Sequence, residues 1–392
     1  MKAIIHGKII TQNGMLDKKA IIFDNKITDI TDEKNIDGSD IEIIDACGSY
    51  ISSGFIDSHI HGSFGKDAMD GSIEGLKTIS KTIAKNGVTS FLPTTMTMSR
   101  EKIYKALDSI REARNASLGG AQILGAHLEG PFISKKYKGA QKEDYILKPD
   151  FNFIKDYKDI IKIITFAPEE DNNFNFIKDV KNNTDIVLSI GHSNASYEEA
   201  IDSIKMGVNH ITHMFNAMTP LHHRNPGVVG AALNSSVYCE LIADNIHVCP
   251  AAYNILLKIK GKDKVILITD CMRAGSLKDG ISELGGQTVY VKNNSARLAD
   301  GTLAGSILKL NIGVKNIFEN TNLSLNEAVS LATVNPAKLL NIYDKKGSLE
   351  EGKDADITIF NRNFDIMYTF VQGKMVYKYN KEGAKDESNN CK

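Results

Sequence analysis

The chain has 392 residues, 47 Lys and Arg against 48 Asp and Glu, and a hydrophobic fraction of 42%. That length allows one large domain or two to three ordinary ones around a substantial core. A formal charge of −1 argues against a strongly basic nucleic-acid binder and against a polybasic membrane anchor. No apolar run approaches the roughly 18 to 20 residues that a membrane span needs. Met1 to Ile10 lacks an apolar region followed by a small-residue cleavage site, so no signal peptide is expected. The cysteines, Cys47, Cys239, Cys249, Cys271 and Cys391, are odd in number, scattered and never in C-x-x-C. That pattern points away from a disulfide framework and toward a reducing cytoplasm.

The first 50 residues read as short strands with tight turns: KAIIHGKII, a turn at Asn13-Gly14, AIIFDNKITDI, then IEIIDACG. The C-terminal ADITIF, MYTFVQ and KMVY repeat the style. Residues 1–50 and 346–380 are therefore expected to pair into one small β domain, a β-sandwich. Residues 381–392 are polar and expected to be a disordered tail.

Between them, eight apolar, β-branched runs follow in order: SSGFIDSHI, VTSFLPTT, ILGAHLEG, KIITFAP, IVLSIGHS, HITHMFNA, CELIADNIH and VILITD. Amphipathic stretches separate most of them, such as SIEGLKTISKTIAKNG and ASYEEAIDSIKMG, the latter opening on a capping box, Ser196 and Glu199. Near-continuous apolar strands alternating with helices indicate a parallel sheet covered by helices. Eight such units predict an α/β fold, a (β/α)8 TIM-like barrel over 51–345. TVYVKNNSARL and the Thr302–Gly305 loop read as insertions after the eighth strand. A last helix is expected to start at a second capping box, Ser324 and Glu327, and to stop near Asn335-Pro336.

Polar residues cluster at the C-terminal ends of these runs, where a barrel builds its active site. They are His59 and His61 in run one, Glu129 in run three, His192 in run five, His213 in run six and Asp270 in run eight. Residues two apart on a strand face the same way, so His59 and His61 can both face the barrel axis. Each residue alone has a bland reading as a satisfied structural histidine, a helix cap or an ion-pair partner. Their concurrence at the ends of barrel strands argues for a metal site. Imidazole and carboxylate together suit Zn2+ or Fe2+ better than magnesium.

The motifs H-I-H-G at 59–62, H-L-E-G-P-F at 127–132, G-H-S at 191–193, T-H-M-F-N-A-M at 212–218 and T-D at 269–270 resemble the amidohydrolase superfamily. More closely, the set resembles its N-acetylglucosamine-6-phosphate deacetylase family, with A-D-G-T-L-A-G-S at 299–306 and G-S-L-E-E-G-K-D-A-D at 347–356 extending the likeness. The resemblance implies Glu129, His192 and His213 as ligands of a main divalent metal. It leaves His59 and His61 for a second ion sharing Glu129, and makes Asp270 the catalytic carboxylate. It places a sugar phosphate on the main-chain N–H groups of Asn216 and Ala217, with Arg224 as charged partner. His247 resembles a substrate-binding histidine. Ala140, Leu303, Ala304 and Gly305 match positions lining the sugar pocket. Arg224 and His247 are implied to reach the neighbouring subunit's site, and so to require a homodimer.

The implied reaction is removal of acetate from N-acetylglucosamine 6-phosphate, in amino-sugar breakdown or cell-wall recycling. Rivals are the galacto epimer, another N-acyl compound, a nucleobase, or a non-catalytic assembly role; retained metal ligands and the phosphate loop argue against the last two. Two positions depart from the family's pattern. Asn245 replaces a usual Gly, at a turn whose left-handed backbone Asn tolerates. Gln141 stands where His often follows K-G-A.

Overall fold

Eight parallel strands succeed one another around a barrel: β1 (Phe55–Ile60), β2 (Val88–Pro93), β3 (Ala126–Glu129), β4 (Ile161–Phe166), β5 (Val187–Ile190), β6 (His210–Ile211), β7 (Tyr238–Ile242) and β8 (Val265–Ile268). This computed structural model describes residues 1–36 and 40–380, so the expected tail at 381–392 lies outside the described residues. β3 to β8 are hydrogen-bonded in sequence order, and β1 pairs with β2. Parallel bridges Thr94–His127 and Ile60–Cys271 join the two arcs, closing the ring. One α-helix follows each strand, from Ile73–Ala84 after β1 to Leu310–Asn320 after β8.

Alternation along β8 shows how the wall is built. Val265 and Leu267 pack in the large cluster that contains the helix residues, whereas Ile266 and Ile268 join Leu92, Ile163 and Ile242 in a separate cluster. Period two sends the second set into the barrel, and two residues beyond Ile268 the same face carries Asp270. β1 is buried along its whole length, including Asp57 and His59, so its interior polar groups must find partners inside the barrel.

The chain's two ends form the predicted β unit from two sheets. One is ordered Ile27–Asp32, Lys19–Phe23, Lys2–Ile5, Glu42–Asp45; the other is ordered Lys374–Lys378, Ile366–Val371, Ile357–Phe360, Tyr50–Ser53, Lys8–Thr11, Gly14–Leu16. Ile4, Ile21, Phe23 and Ile44 of the first pack on Ile9, Ile51, Ile357 and Phe370 of the second. The opening KAIIHGKII differs from the single strand its apolar pattern predicts. His6 takes a left-handed backbone (φ 55°), which breaks the run and hands the chain from one sheet to the other. Gly7 follows where a Cβ would lie 2.4 Å from the Ile51 side chain.

Gly280–Leu284, Gln287–Lys292 and Ser295–Arg297 form a three-stranded antiparallel insertion between β8 and its helix. Asn293 and Asn294, both left-handed (φ 52° and 60°), turn its second hairpin, as a two-residue turn requires. Both capping boxes form. The last helix does not run to Asn335-Pro336, however. It ends at Ser330, and a new helix, Val334–Leu339, carries Pro336 in its first turn, where a missing N–H costs nothing. Among the described residues no helix is long and apolar enough to cross a membrane.

The second box carries a testable charge. Glu327 accepts from the Ser324 N–H (2.9 Å) and pairs with Lys262 (2.6 Å), and these contacts, Lys262 first, hold its carboxyl down to about 2. A depressed carboxyl stabilises the fold above its unfolded value of about 4.5 and loses that contribution as pH falls toward 2. Glu327→Gln should therefore lower Tm by about 2 °C at pH 7, for a cap worth about 1 kcal/mol. The difference should shrink between pH 5 and pH 2 in thermal melts, and a gap independent of pH would exclude the charge.

Candidate active site

The functional side chains come from five strands and meet over the C-terminal mouth. His59 and Glu129 lie on β1 and β3, with His61 just past the end of β1. His192, His213 and Asp270 each sit two residues past β5, β6 and β8, all with left-handed backbones (φ 49°, 27° and 49°). Non-glycine residues adopt that conformation rarely, and here it turns each side chain across the barrel mouth.

Glu129 is the meeting point. Its Oε1 lies 3.1 Å from His213 Nε2, 3.2 Å from His192 Nε2 and 3.5 Å from His59 Nε2, and its Oε2 lies 3.3 Å from His61 Nε2. Asp270 Oδ1 completes the ring at 3.2 Å from His61 and 3.6 Å from His59. All six groups are buried.

The Nδ1 atom of every one of these imidazoles faces an acceptor. His61 donates to Thr94 O (3.2 Å), His192 to Tyr137 O (2.9 Å), His213 to Asn216 O (3.2 Å) and His59 to Glu240 Oε2 (2.9 Å). A carbonyl or carboxylate can only accept, so Nδ1 keeps its proton, and Nε2, once it gives up its own proton to make way for an ion, offers its lone pair inward. His59 Nε2 is buried without a hydrogen-bond partner. Lone pairs converging with carboxylate oxygens, each ring oriented from behind, make a donor set that fits a divalent ion such as zinc or ferrous iron. Within this ring two triads meet the distance requirement, Glu129 with His192 and His213 and Glu129 with His59 and His61, and a third group, His59 with His127 and Glu240, meets it behind the ring.

Charge follows the same plan. Burial pushes the Glu129 carboxyl up, but His59 and the hydrogen bonds from His192, His213 and His61 hold it well below its ordinary range. Asp270 likewise overcomes burial, through the His61 hydrogen bond and the His59 charge, and stays below its ordinary value. Burial opposes a charged His59, yet Glu240 and Glu129 carry it up to about 9. The carboxylates at this mouth call for positive charge. His127, beside His59, is the opposite case: burial pushes it down to about 3, and Ser58 O (3.1 Å) and Thr165 Oγ1 (2.7 Å) engage both its nitrogens.

A cavity of about 330 Å³ opens above the ring. Its walls include Ala140, Asn216, Ala217, His247, Leu303 and Gly305, together with Met96, Lys136, Tyr137 and Gln141. Two expectations need correction. Ala304 is fully buried with Met272, Leu284 and Val289 and supports the loop from beneath. The Asn216 N–H already donates to His213 O (3.0 Å), which leaves Ala217 the open main-chain donor of that pair. His247 lines the cavity of its own chain, held at Asp244 by a 2.7 Å contact with its side chain 6% exposed. Arg224 is exposed on a loop beside His223 (2.7 Å) and does not line this cavity.

The two departures both have places. Asn245 is left-handed (φ 64°), as expected, and its N–H donates to the Tyr253 hydroxyl (2.9 Å). Gln141 Oε1 accepts from the Thr97 N–H (2.8 Å), which aims its Nε2 at His192 Nε2, 3.4 Å away. Glu240 was missed by sequence reasoning. Its signal was a charge inside the apolar run C-E-L-I, where only an interior partner could hold it.

An Amidohydrolase family model matches residues 50–376. The N-acetylglucosamine-6-phosphate deacetylase of Bacillus subtilis is 42% identical over 94% of this chain and 95% of its own. A crystal structure of the Pasteurella multocida N-acetylglucosamine-6-phosphate deacetylase superposes with a TM-score of 0.90 at 32% identity, over 95% of this chain and 99% of that one. The Mycobacterium smegmatis enzyme, solved as an Asp-to-Ala variant in complex with N-acetyl-D-glucosamine-6-phosphate, gives 0.89 at 26% identity, over 96% and 99%. Likeness of that extent, running through barrel and terminal sheets alike, settles descent: this chain belongs to the amidohydrolase family, among the N-acetylglucosamine-6-phosphate deacetylases.

Proposed function

We propose that this protein hydrolyses N-acetylglucosamine 6-phosphate to glucosamine 6-phosphate and acetate. The observation that carries the reading is the ring of four Nε2 lone pairs and two carboxylates beneath one cavity, in a chain this similar to the Bacillus enzyme. Glu129, His192 and His213 would hold the main ion, and His59 and His61 a second one sharing Glu129. A divalent ion there supplies Lewis acidity to an amide carbonyl and to water.

The remaining work falls to the chain. Asp270, anionic at neutral pH and at the open side of the ring, takes the proton of the attacking water at Oδ1. It then delivers that proton to the departing amine nitrogen as the C–N bond breaks, and returns to carboxylate. Gln141, with its carbonyl fixed by Thr97, presents N–H to the acyl end of the cavity. His247, braced by Asp244, and the open Ala217 N–H face the sugar and its phosphate. Arg224 reaches the phosphate from the neighbouring subunit of a homodimer, since its exposed side chain does not line its own cavity.

Four tests follow. Chelation should abolish acetate release and lower Tm, by up to about 4 kcal/mol of lost binding for an ion present at about 1,000-fold its Kd, and added Zn2+ or Fe2+ should restore both. Glu129→Gln should remove that response; a variant that still melts higher with metal would exclude Glu129 as shared ligand. Asp270→Asn should reduce kcat at least about 10³-fold with metal content unchanged by elemental analysis, and substantial remaining turnover would take Asp270 out of proton transfer. Arg224→Ala should raise KM about 10- to 100-fold for the phosphorylated sugar alone. Mixing it with Asp270→Asn subunits should then restore activity above the sum of the two, because hybrid dimers hold one complete site; no restoration would place Arg224 elsewhere.

A further inference from the structure

Glu240 stands apart from the site just described. It lies on β7, is fully buried and does not itself line the cavity. Its Oε2 accepts from two donors: His59 Nδ1 at 2.9 Å and the main-chain N–H of His213 at 3.0 Å. Its Oε1 has no hydrogen-bond partner and sits 3.7 Å from His210 Nε2, which has none either.

Glu240, His59 and His127 are close enough to hold an ion of their own. The hydrogen bonds argue otherwise. Both His127 nitrogens are engaged by Ser58 O and Thr165 Oγ1, and the 2.9 Å between Glu240 and His59 is a hydrogen-bond distance with the proton on Nδ1. Glu240 therefore acts on the ring through His59, from behind.

That role is asymmetric. His61, His192 and His213 each rest Nδ1 on a neutral main-chain carbonyl, and His59 alone rests on a carboxylate. A carboxylate behind an imidazole fixes its orientation and strengthens the lone pair at Nε2. Because the same oxygen also fixes the His213 main chain, Glu240 ties one ligand of each ion position together.

We propose that Glu240 is a positioning residue that makes His59 a ligand of a second divalent ion, held with His61 and the shared Glu129. The inference rests on the metal-dependent reading of the ring but not on the substrate. The test is Glu240→Gln, which keeps an acceptor for His59 and removes the charge. Zn2+ per chain is read by elemental analysis, and affinities by competition with a chromogenic chelator.

The wild type should bind two ions. Glu240→Gln should keep the first and bind the second about 10- to 100-fold more weakly. His59→Gln should lose the same ion, and adding Glu240→Gln to it should change the remaining affinity no further. A wild type that holds a single ion, two ions held equally by Glu240→Gln, or loss of both ions together would each overturn the proposal. Acetate release by the wild type reports on the deacetylase reading separately, so either can fail alone.

Discussion

A carboxylate 2% exposed, with imidazole nitrogens around both its oxygens, is the constraint on which the rest of this structure depends. Removing a carboxylate from water costs several kcal/mol unless geometry and charge compensate. Glu129 is compensated only because β1, β5 and β6 end where β3 ends, so that His59, His61, His192 and His213 arrive together. A barrel makes that possible, since parallel strands in a closed ring bring all their C-terminal ends to one mouth.

Convergence alone would not aim the side chains. His192, His213 and Asp270 need left-handed backbones at strand ends, and each is held by neighbours that offset the strain. Glu169 accepts from the Ser193 hydroxyl (2.7 Å) and from the Asn194 N–H, clamping the turn just after His192. Asp57 accepts from the Thr269 hydroxyl (2.6 Å) and N–H (3.2 Å), fixing the residue before Asp270. Burial pushes the Asp57 carboxyl up to about 7, against those same bonds. A buried and a half-buried acid outside the cavity thus set the geometry of the groups within it.

Much of this was legible in the residues. The eight strands showed because each is a short β-branched run bounded by polar residues, and the site showed because its ligands interrupt those runs at one end. What stayed hidden was contact that no local pattern records. KAIIHGKII reads as one strand, and neither the left-handed turn at His6 nor the close approach of Ile51 to Gly7 beside it shows in the apolar pattern. Pro336 reads as a stop, yet it can also open a helix, and the tertiary packing chose the latter. Glu240 reads as one charge among many until its partners on β1 and β6 are known. Motif matching put Ala304 in the sugar pocket together with its neighbours Leu303 and Gly305, although alternating residues in such a loop face opposite ways.

The terminal sheets set an order on biosynthesis. Tyr50–Ser53 lies between Lys8–Thr11 and Ile357–Phe360, with Ile51 opposite Ile359. At about 5 to 20 residues per second the intervening ~300 residues take about 15 to 60 seconds to emerge from a ribosome. Throughout that interval the N-terminal strands keep an open, apolar edge, while the barrel sequence is made and can close on itself. Such an edge is a template for pairing with other chains. A chain cut short before Ile357 would carry every residue of the metal ring and still present Ile9 and Ile51 uncovered. Its failure would be one of solubility, with the chemistry intact in the sequence and lost to aggregation.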